Sequence, residues 1–570
     1  MNKKPIKIGR TRKPIGKSLR IIPLGGLEEI GRNMTVFEYG DDIIIVDCGL
    51  MFPEEEMMGI DYIVPNIEYL KDKTKNIRGI IITHGHFDHI GAIPHLVPAL
   101  GNPPIYATEL TRAMILKRQE DYKGVAPLNV KTIRKIDRLS LGAFKVEFFH
   151  VNHSIPDAVG LVIRTPVGAI VHTGDFKFDH SPVGDVPADI SKIARIGAEG
   201  ILALMSDSTD SQVEGYSVSE SKIRDELDKI FADSKGRIIT ATFASLVSRI
   251  QQVAELSEKH GRKLAVDGYS MKNNFEIARQ LGYINAKKST FIDIKEVNNY
   301  PDSRVAIMCT GAQGEGNAVL MRIVNGEHRY VQIHHGDTVL FSSSVIPGNE
   351  RTVQGLMDTL YKKGAEVINY KMMDIHSGGH ARAEDLKMMI NLIRPQYLIP
   401  VHGTYYMLKI HGKLGEAVGL KPENILIGQN GRIIEFDYRG NGKITNEQVP
   451  SSYVMVDGLG VGDVGNVVLR DRQLLAKDGM FTIITIVDKK KKEVVGEPQI
   501  TSRGFIYVKE NFDLVNATKK QVKKIIGQST SSDAEPNWDY IKNNIRDEVG
   551  RFLFQKTQRR PMILPVIIEV

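Results

Sequence analysis

Three histidines and an aspartate fall within the six residues HGHFDH at 84–89, directly after the apolar run GIIIT. A short apolar run of this kind is consistent with a buried strand. Burying several imidazoles at the end of a strand costs free energy unless the ring nitrogens find partners. Metal ions are such partners, so the stretch predicts a metal site and favours a fold that brings strand ends together.

Four other strand-like runs also end in a histidine or an aspartate: DIIIVD at Asp47, FFHVNH at His153, AIVHTGD at Asp175 and YLIPVH at His402. Ligands of α/β sheets bind outside the carboxyl ends of the strands, so five separate segments are expected to deliver N and O atoms to one edge. A lone buried histidine is more often a hydrogen-bonded core residue than a ligand, and for His153 taken alone this alternative stays open.

Imidazole and carboxylate groups without a nearby thiolate favour zinc or manganese over an iron–sulfur cluster. A catalytic zinc ion takes about three protein ligands, so seven candidate ligands imply two ions. Two ions about 3.5 to 4 Å apart can share a hydroxide and clamp the oxygens of a phosphodiester. The expected chemistry is hydrolysis by a hydroxide bound to two Zn²⁺ per subunit, with Mn²⁺ or Mg²⁺ as substitutes.

The chain has 570 residues, 42% of them hydrophobic and 25% charged, and is too long for one core, so about three domains are expected. No apolar run is long enough to cross a membrane and the N-terminus lacks an apolar signal region, which favours a cytoplasmic protein. Cys48 and Cys309 each lie in an apolar run, which indicates buried thiols in a reducing compartment.

Positive charge is concentrated at the N-terminus, where the first 20 residues carry eight Lys or Arg and no acidic residue. Such an arm can bind a polyanion such as RNA through its phosphates. A solvated, disordered arm is the alternative interpretation, and charge alone does not decide between the two.

The apolar patterns predict an α/β chain. A hairpin-rich sheet is expected from Leu19 to about Gly49, followed by alternating strands and helices, with one helix through HIGAIPHLVPAL at 89–100. Regular βα units then predict a parallel-sheet domain inserted into the first, which PQYLIPVHG resumes. The last block is expected to hold the strands FTIITIVD, GFIYVKE and MILPVIIEV around two helices, with DKKKKE at 488–493 as an exposed hairpin tip.

Longer motifs narrow the interpretation, namely FPEEEMMGIDYIVPN, HSIPDAVG, HTGDFKFD, SDSTD, TFAS, TGAQGE, SSSVIPGNE, HSGGHARAEDL and RPQYLIPVHG. Together with THGHFDH, they resemble the β-CASP nucleases of the metallo-β-lactamase superfamily along almost the whole chain, and specifically the ribonuclease J family. ITSRGFIYVKE extends the likeness towards the C-terminus. The resemblance implies an αββα sandwich with an inserted β-CASP parallel-sheet domain and a small C-terminal α/β domain.

On this basis the chain is expected to divide into a basic arm (1–18), a metallo-β-lactamase domain in two parts (19–207 and 376–448), a β-CASP domain (208–375), and a linker with a C-terminal oligomerisation domain (449–570). A homodimer or homotetramer is implied by the resemblance alone. So are contacts with a paralogue or with other RNA-decay proteins.

The resemblance also implies a metal-dependent ribonuclease for single-stranded RNA that acts in mRNA decay and rRNA maturation. It would cut internally and would also degrade RNA from 5′ to 3′, preferring a 5′-monophosphate end. One alternative keeps the two-metal core but assigns another phosphodiester or a thioester as substrate. The other is a catalytically weak, RNA-binding subunit of a paired ribonuclease J complex.

Roles for individual residues follow from the resemblance. His84, His86 and His153 would hold one zinc ion, and Asp88, His89 and His402 the other, with Asp175 between them. Asp47 would orient the ligands, Asp207 would support the metal site, and His380 would contact the scissile phosphate and assist the leaving 3′-oxygen. An imidazole suits the last role, because it can both stabilise negative charge and donate a proton near neutral pH.

A 5′-phosphate is bound well by backbone N–H groups, hydroxyls and helix N-termini. The residues that the resemblance assigns to this pocket and to the scissile phosphate are Ser342, Ser343, Ser344, Asn349, Glu350, Ser377, Gly378, Gly379 and His380. For the three serines, an ordinary turn at the end of a strand is the alternative.

Five positions depart from the pattern of the family. Gly378 stands where a hydroxyl is usual, Leu246 replaces a common Asn, and Ser248 a common His or Tyr. Tyr269 replaces a common Arg and Val345 a common Pro. No departure is at a metal ligand, so the departures concern RNA and 5′-phosphate binding. Tyr269 is expected either to stack on a base or to pack within the protein.

Overall fold

The computed structural model describes residues 16–54, 56–311, 318–343, 349–369, 372–373, 375, 378–458, 460–488, 490–530 and 536–570. Most of the predicted basic arm, residues 1–15, lies outside this part of the chain. So do Ser344, Val345 and Ser377 of the predicted phosphate-binding segments. The chain divides into two units, one of Met1–Phe52 with Ile63–Val454 and the other of Pro53–Tyr62 with Met455–Val570.

The first unit begins with strands that alternate with short helices. The strands are β1 (Leu19–Gly25), β2 (Leu27–Glu28), β3 (Met34–Tyr39), β4 (Asp42–Val46), β5 (Tyr62–Val64), β6 (Ile77–Ile81), β7 (Ile105–Ala107), β8 (Val130–Thr132), β9 (Arg138–Leu141), β10 (Phe144–His150), β11 (Val159–Arg164), β12 (Ala169–His172) and β13 (Ile201–Asp207). The helices are α1 (Phe87–Ile90), α2 (Ile93–Leu96), α3 (Glu109–Gln119) and α4 (Ile190–Ala198), with 3-10 turns at Glu68–Asn76 and Pro98–Leu100.

The helix expected through residues 89–100 is wrong as one continuous element. The segment instead forms α1, α2 and a 3-10 turn in succession. Pro94 and Pro98 each fall in the first turn of a new element. Proline lacks an N–H and clashes with the preceding turn, so a helix restarts at a proline more easily than it continues through one.

The middle of the first unit consists of βα units. The strands are β14 (Ile238–Ala241), β15 (Lys263–Val266), β16 (Phe291–Ile292), β17 (Val305–Cys309), β18 (Thr338–Phe341) and β19 (Glu366–Asn369). The helices are α5 (Glu220–Asp233), α6 (Val247–Lys259), α7 (Tyr269–Gln280), α8 (Val319–Val324) and α9 (Glu350–Lys362), with 3-10 turns at Lys288–Thr290, Ile294–Asn299 and Asp302–Arg304. All six strands run parallel in the order β16-β15-β17-β14-β18-β19, which confirms the predicted parallel sheet.

Apolar clusters cover both faces of this parallel sheet, as its near-continuous apolar strands require. The chain then returns through α10 (Ala383–Ile393), β20 (Tyr397–Val401), β21 (Gly403–Thr404) and α11 (Tyr405–Ala417), a 3-10 turn at Pro422–Asn424, and the hairpin of β22 (Arg432–Phe436) and β23 (Gly442–Gln448). Because β20 pairs in parallel with β13, the segment between them is an excursion from one sheet.

Two large sheets form most of the rest of the first unit, in the orders β23-β22-β1-β3-β4-β6-β7-β8 and β20-β13-β12-β11-β10-β9, and β2 pairs with β21 in a small additional sheet. A buried cluster that includes Phe37, Phe144 and Phe436 lies between them, and α4 and α10 pack on the outer face of the second sheet. This arrangement is the expected αββα sandwich. Cys48 and Cys309 are buried free thiols, as predicted.

The second unit is a small α/β fold. Its elements are β24 (Val454–Asp457), β25 (Gly460–Val461), α12 (Asn466–Asp478), β26 (Met480–Asp488), β27 (Glu493–Arg503), a 3-10 turn at Val508–Glu510, α13 (Phe512–Ser529), α14 (Trp538–Thr557) and β28 (Met562–Glu569). The sheet order is β27-β26-β28, and one buried cluster joins this sheet to α13 and α14. Asp488 pairs with Glu493, so Lys490, Lys491 and Lys492 lie at the tip of the predicted hairpin.

The strand predicted at GFIYVKE is wrong, because those residues turn away from the sheet and enter a 3-10 turn. Gly504 has a φ of +71° and ends the strand. The strand beside β26 is β27, whose residues are mostly exposed and so lack an apolar pattern. Within the described residues, no helix has the length and apolar character needed to span a membrane.

Candidate metal centre

The ends of several strands in the αββα sandwich meet at one place. Asp47 follows β4, and His84 and His86 follow β6. The first turn after them, α1, carries Asp88 and His89. His153, Asp175 and His402 follow β10, β12 and β20, and Asp207 is the last residue of β13. The structure therefore brings together residues that are more than three hundred positions apart in sequence.

Three imidazoles meet nitrogen to nitrogen in a first group. Nδ1 of His86 lies 3.0 Å from Nε2 of His84 and 3.0 Å from Nε2 of His153. Oδ2 of Asp175 lies 3.7 Å from the His84 nitrogen and 3.9 Å from the His153 nitrogen. Four ligand atoms thus face one small volume.

A second group shares the same carboxylate. Oδ2 of Asp175 lies 3.2 Å from Nε2 of His89 and 3.7 Å from Nε2 of His402. Oδ2 of Asp88 lies 3.4 Å from the His89 nitrogen and 3.1 Å from the His402 nitrogen. Asp175 belongs to both groups, as a ligand shared by two metal ions would.

The second nitrogen of most of these rings is held by an oxygen. Nδ1 of His153 donates to the carbonyl of Gly379 at 2.7 Å, and Nδ1 of His89 lies 2.8 Å from Oδ2 of Asp47. The remaining contacts join Nδ1 of His402 to Thr209 Oγ1 at 2.6 Å and Nδ1 of His84 to Thr83 Oγ1 at 3.1 Å. Such outer contacts fix the tautomer and leave the inner nitrogen free to bind a metal.

The two groups differ in their electrostatics. Burial lowers the pKa of His86 to about 4, and burial together with neighbouring imidazoles holds the pKa values of His84 and His153 well below 6.5. Burial also lowers the pKa of His89 and of His402, but the surrounding aspartates, Asp175 foremost, outweigh it and raise both pKa values well above 6.5. The first group therefore consists of neutral imidazoles, and the second pairs imidazoles with carboxylates.

Two residues of the cluster adopt a backbone conformation that is unusual outside glycine. Asp47 has a φ of +63° and His402 a φ of +53°. Left-handed backbone at a non-glycine residue costs free energy and persists only where the surroundings enforce it. At Asp47 the surroundings include the backbone N–H and the hydroxyl of Thr83, which both donate to the carboxylate.

His380 lies beside the second group. Its Nδ1 is 2.8 Å from Oδ2 of Asp207, and its ring stacks on that of His402 with centroids 5.6 Å apart. Burial lowers the pKa of His380, but the charge and hydrogen bond of Asp207 outweigh it and raise that pKa to about 9. The imidazolium form is therefore the stable one near neutral pH when no metal is bound.

The residues expected to bind phosphate lie in different environments. Ser342 is fully buried, and its hydroxyl donates to the carbonyl of Ile375 at 2.6 Å. Ser343 is also buried, and its hydroxyl has no partner among the described residues. Asn349 and Glu350 begin α9. Gly378 and Gly379 precede His380, and a Cβ at Gly379, whose φ is +83°, would lie 3.0 Å from the His153 ring.

Three of the five positions that depart from the family pattern lie close to the junction between the parallel-sheet segment and the sandwich. Ser248 and Tyr269 make contacts across this junction, and Leu246 lies next to it. Ser248 Oγ donates to the carbonyl of Ser154 at 3.1 Å. Tyr269 is 67% exposed and its hydroxyl donates to Asp121 at 2.8 Å, so the alternative that it packs inside the protein is wrong. Leu246 is buried at the start of α6.

Zinc fits the donor set. The ligand atoms of each group are nitrogen or carboxylate oxygen, lie within 4.8 Å of one another, and belong mainly to buried residues. Neutral imidazoles whose inner nitrogens face one another suit a bound cation, and imidazole with carboxylate is a usual ligand set for zinc. Each group offers four ligands, one of them shared, as two ions would require.

Sequence reasoning missed the hydroxyl residues that hold the imidazoles. Thr83 and Thr209 each contact both an aspartate and a histidine of the cluster. Thr83 comes directly before the candidate ligand His84, and Thr209 lies two positions after Asp207. A threonine so close to a predicted ligand or supporting aspartate is the sequence signal that could have identified them.

Comparison with family models matches four successive parts of the chain. Residues 27–241 match the metallo-beta-lactamase superfamily, and residues 235–360 match the ribonuclease J beta-CASP domain. Residues 367–426 match the Zn-dependent metallo-hydrolase RNA specificity domain, and residues 467–570 match the ribonuclease J C-terminal domain.

Curated relatives cover nearly the full length. The chain is 42% identical to ribonuclease J2 of Bacillus subtilis strain 168 over 554 residues, which is 97% of this chain and 99% of that protein. It is 40% identical to ribonuclease J 2 of Staphylococcus aureus strain MRSA252 over 555 residues, again 97% of this chain and 99% of that protein.

A solved structure supports the fold alone. A protein of unknown function from Enterococcus faecalis V583 superposes with a TM-score of 0.54 at 18% identity, covering 73% of this chain and 100% of that one.

Proposed function

The chain belongs to the ribonuclease J family, and from that premise we propose that it hydrolyses single-stranded RNA at a two-metal site. The coarser statement, a ribonuclease J-family hydrolase with a His/Asp metal cluster, already follows from the comparisons and the geometry. The proposal adds a 5′-to-3′ exonuclease that favours 5′-monophosphate ends, an endonuclease activity, and a cytoplasmic role in mRNA decay and rRNA maturation.

The observation that carries the proposal is the shared carboxylate. Asp175 lies within reach of both ligand groups, and each group has three further N or O atoms around it. In this proposal His84, His86 and His153 would hold one zinc ion, Asp88, His89 and His402 would hold the other, and Asp175 would serve both. Two bound zinc ions would activate a water and neutralise the charge that develops on the phosphodiester.

The protein contributes orientation to this chemistry. Asp47 and Thr83 fix the rings of His89 and His84, and the Gly379 carbonyl fixes His153. Asp207 binds His380 and also lies 3.6 Å from Nδ1 of His402, so it supports both residues. Rings held in this way need little rearrangement when substrate binds.

His380 is proposed to act on the substrate itself. Asp207 holds Nδ1, which leaves Nε2 of His380 for a phosphate oxygen. A protonated imidazole can stabilise negative charge on the phosphate and then donate its proton to the leaving 3′-oxygen. The raised pKa of His380 supplies the protonated form that this role requires.

The 5′-phosphate pocket is proposed to include Ser343, Ser344, Ser377 and the N-terminus of α9 with Asn349 and Glu350. Ser343 supports this assignment, because its buried hydroxyl has no partner among the described residues. Ser342 would act indirectly, since its hydroxyl is already bonded to Ile375 and Arg249. Gly378 would contribute a backbone N–H in place of the usual hydroxyl.

The test is a degradation assay on one unstructured RNA that is labelled at its 5′ end and carries either a monophosphate or a triphosphate. Wild type and His84→Ala are compared with Zn²⁺ or Mn²⁺ supplied. The proposal predicts that wild type releases mononucleotide faster from the monophosphate RNA and that His84→Ala releases none.

Equal rates on both RNAs would remove the 5′-end preference but leave the nuclease. Binding of RNA without cleavage under either metal would contradict the nuclease itself. The protein would then be the RNA-binding subunit of a paired complex, and its assembly into a homodimer, a homotetramer or a complex with a paralogue would be the next question.

A further inference from the structure

A groove of about 850 Å³ lies wholly within the second unit, between α12, α14 and β28. Its lining includes five basic residues but only two acidic ones, Asp471 and Asp547. The basic residues are Arg470, Lys542, Arg546, Arg551 and Arg560. All the lining residues belong to the second unit and all the candidate metal ligands to the first, so the groove is not part of the metal centre described above.

One face of α14 builds a wall of this groove. The helix buries Ile541 and every fourth residue after it, through Leu553, against the sheet. The adjacent stripe, shifted by one residue, lines the groove and consists of Lys542, Arg546, Gly550 and Phe554. Residues four apart lie on the same face of a helix, so the cations and the aromatic ring form a continuous row.

Two of the cations have no carboxylate partner in the part of the chain that the structure describes. Arg470 and Arg546 are exposed, and among the described residues neither has an acidic group within 4 Å. Arg551, by contrast, is paired with Glu548, and Lys542 lies 3.4 Å from Asp539. Positive charges that line a groove raise the local potential and attract a polyanion.

The groove also offers flat and apolar surface between the charges. The guanidinium carbon of Arg560 lies 4.4 Å from the centre of the Phe554 ring. Leu564 and Val566 of β28 are 40% and 41% exposed beside it. Surfaces that bind single-stranded nucleic acid typically combine two features. Bases stack on guanidinium planes and aromatic rings, and nearby cations contact the phosphates.

An acidic peptide fits this groove less well. Such a peptide would be expected to add a strand to β28, which pairs with β26 on one side only. Pro565 lies in the middle of β28 and has no N–H to donate, which interrupts the hydrogen bonds of an added strand. Recognition in the groove therefore depends on side-chain cations, which suit a row of phosphates.

We propose that this groove, defined by Arg470, Arg546, Phe554 and Arg560, is a second RNA-binding site that holds the backbone of a single strand. This binding site is separate from the proposed hydrolysis. It rests on the proposed function only in that RNA, the substrate proposed there, is taken as the polyanion. Affinity for long RNA then comes from both units of the chain.

The test measures binding of an unstructured, fluorescently labelled RNA to the full-length protein after metal removal, so that no cleavage occurs. Arg470→Gln/Arg546→Gln is compared with wild type over a range of salt concentrations. Affinity should fall about tenfold at low salt. The slope of log K against log salt should become shallower by about 1.4, because each phosphate contact on a single strand contributes about 0.7.

The matched control is Lys520→Gln/Lys524→Gln, which removes the same charge from exposed positions of α13 outside the groove. The inference expects the control to bind like wild type. Equal weakening in both variants, or in neither, would overturn it, whether or not the enzyme cuts RNA. A change in molecular mass with unchanged RNA affinity would also overturn it and would make the groove a contact between copies of the chain.

Discussion

At the scale of single residues, the orientation of each imidazole depends on atoms that no metal would touch. The carboxylate of Asp47 accepts hydrogen bonds from the backbone N–H and hydroxyl of Thr83 and lies 2.8 Å from His89 Nδ1. That carboxylate fixes the His89 ring with Nδ1 towards Asp47, so Nε2 points at the proposed metal position, and it makes the imidazole a more basic ligand.

Replacing Asp47 with Asn tests this dependence. The amide keeps the shape of the side chain but removes the charge facing His89, and loss of such an outer partner typically weakens metal affinity about 10- to 100-fold. Competition with a chromophoric zinc chelator measures the affinity. Asp42→Asn is the control, because Asp42 begins the same strand but binds Arg78 and lies outside the cluster. Affinity equal to wild type in Asp47→Asn would contradict the role.

His380 leads to a different prediction. If it acts on the phosphate and the leaving oxygen, His380→Gln should lower kcat by about 100- to 10,000-fold while the protein keeps its full metal content. Single-turnover cleavage and metal analysis measure the two quantities. His95→Gln, which changes a histidine next to Tyr122 outside the cluster, should leave both unchanged. Loss of metal in His380→Gln would make it a structural residue of the metal site.

Much of this residue detail was available in the sequence, since the candidate ligands were predicted and the structure brings them together. What the sequence could not show is which oxygen holds which ring. Thr209 and the Gly379 carbonyl reach their histidines across long stretches of chain, and a backbone carbonyl has no signature in a sequence. Hydrogen bonds of that kind depend on tertiary packing.

At the scale of secondary structure, buried charges join the sandwich to the parallel-sheet segment. Glu220, the first residue of α5, accepts from Lys177 at 3.1 Å, from Arg249 at 3.0 Å and from Gln252 at 2.9 Å. Arg249 on α6 also donates to Ser342 and to the Ile375 carbonyl. The Glu220 carboxylate thus connects Lys177, two residues after the candidate ligand Asp175, with Arg249. Arg249 in turn holds Ser342 and Ile375, which lie in the two segments that lead to the proposed phosphate pocket.

The pH dependence of this cluster follows from Glu220. Burial raises its pKa, but Lys177 and Arg249 outweigh burial and lower the pKa to about 2 from 4.5. A carboxyl whose pKa is lowered by folding stabilises the fold above its ordinary pKa and loses that contribution as the pH falls towards the folded value. Glu220 should therefore contribute about 3 kcal/mol above pH 5 and progressively less between pH 4.5 and pH 2.

Hydrogen exchange of α5 and α6 in wild type and Glu220→Gln measures this contribution. The method is needed because the only tryptophan, Trp538, lies in the second unit and does not report on these helices. The difference in opening free energy should shrink as the pH is lowered from 6 to 3. Glu226→Gln on the same helix, a surface ion pair with Lys229, should change it by less than about 1 kcal/mol at any pH. A pH-independent difference for Glu220→Gln would contradict the account.

The predicted elements were correct where the apolar pattern was strong and wrong where it was weak or interrupted. Buried parallel strands such as β14 and β17 have continuous apolar residues, and these were identified. The helix predicted at 89–100 was broken by prolines, and β27 was missed because its residues are mostly exposed. An exposed edge strand makes its hydrogen bonds through the backbone, which the sequence does not reveal.

At the scale of the whole molecule, sequence, fold and family agree on one architecture. The αββα sandwich, the inserted parallel sheet and the small C-terminal fold were all expected, and four family models cover them in the same order. The domain boundaries themselves stay predictions, because the described chain divides into two units and the sandwich and the inserted sheet belong to one of them. The segment 53–62 joins the second unit, a pairing that no sequence pattern indicated.

The central claim is that seven residues form a two-metal site at which RNA is hydrolysed. Its most direct test is to remove all metal from the full-length protein and to titrate Zn²⁺ back while measuring cleavage of a 5′-monophosphorylated RNA. Because Asp175 joins two ligand groups, we predict no cleavage without metal and full activity at about two ions per chain. Cleavage by the metal-free protein, saturation at one ion, or inactivity with both ions bound would contradict the claim.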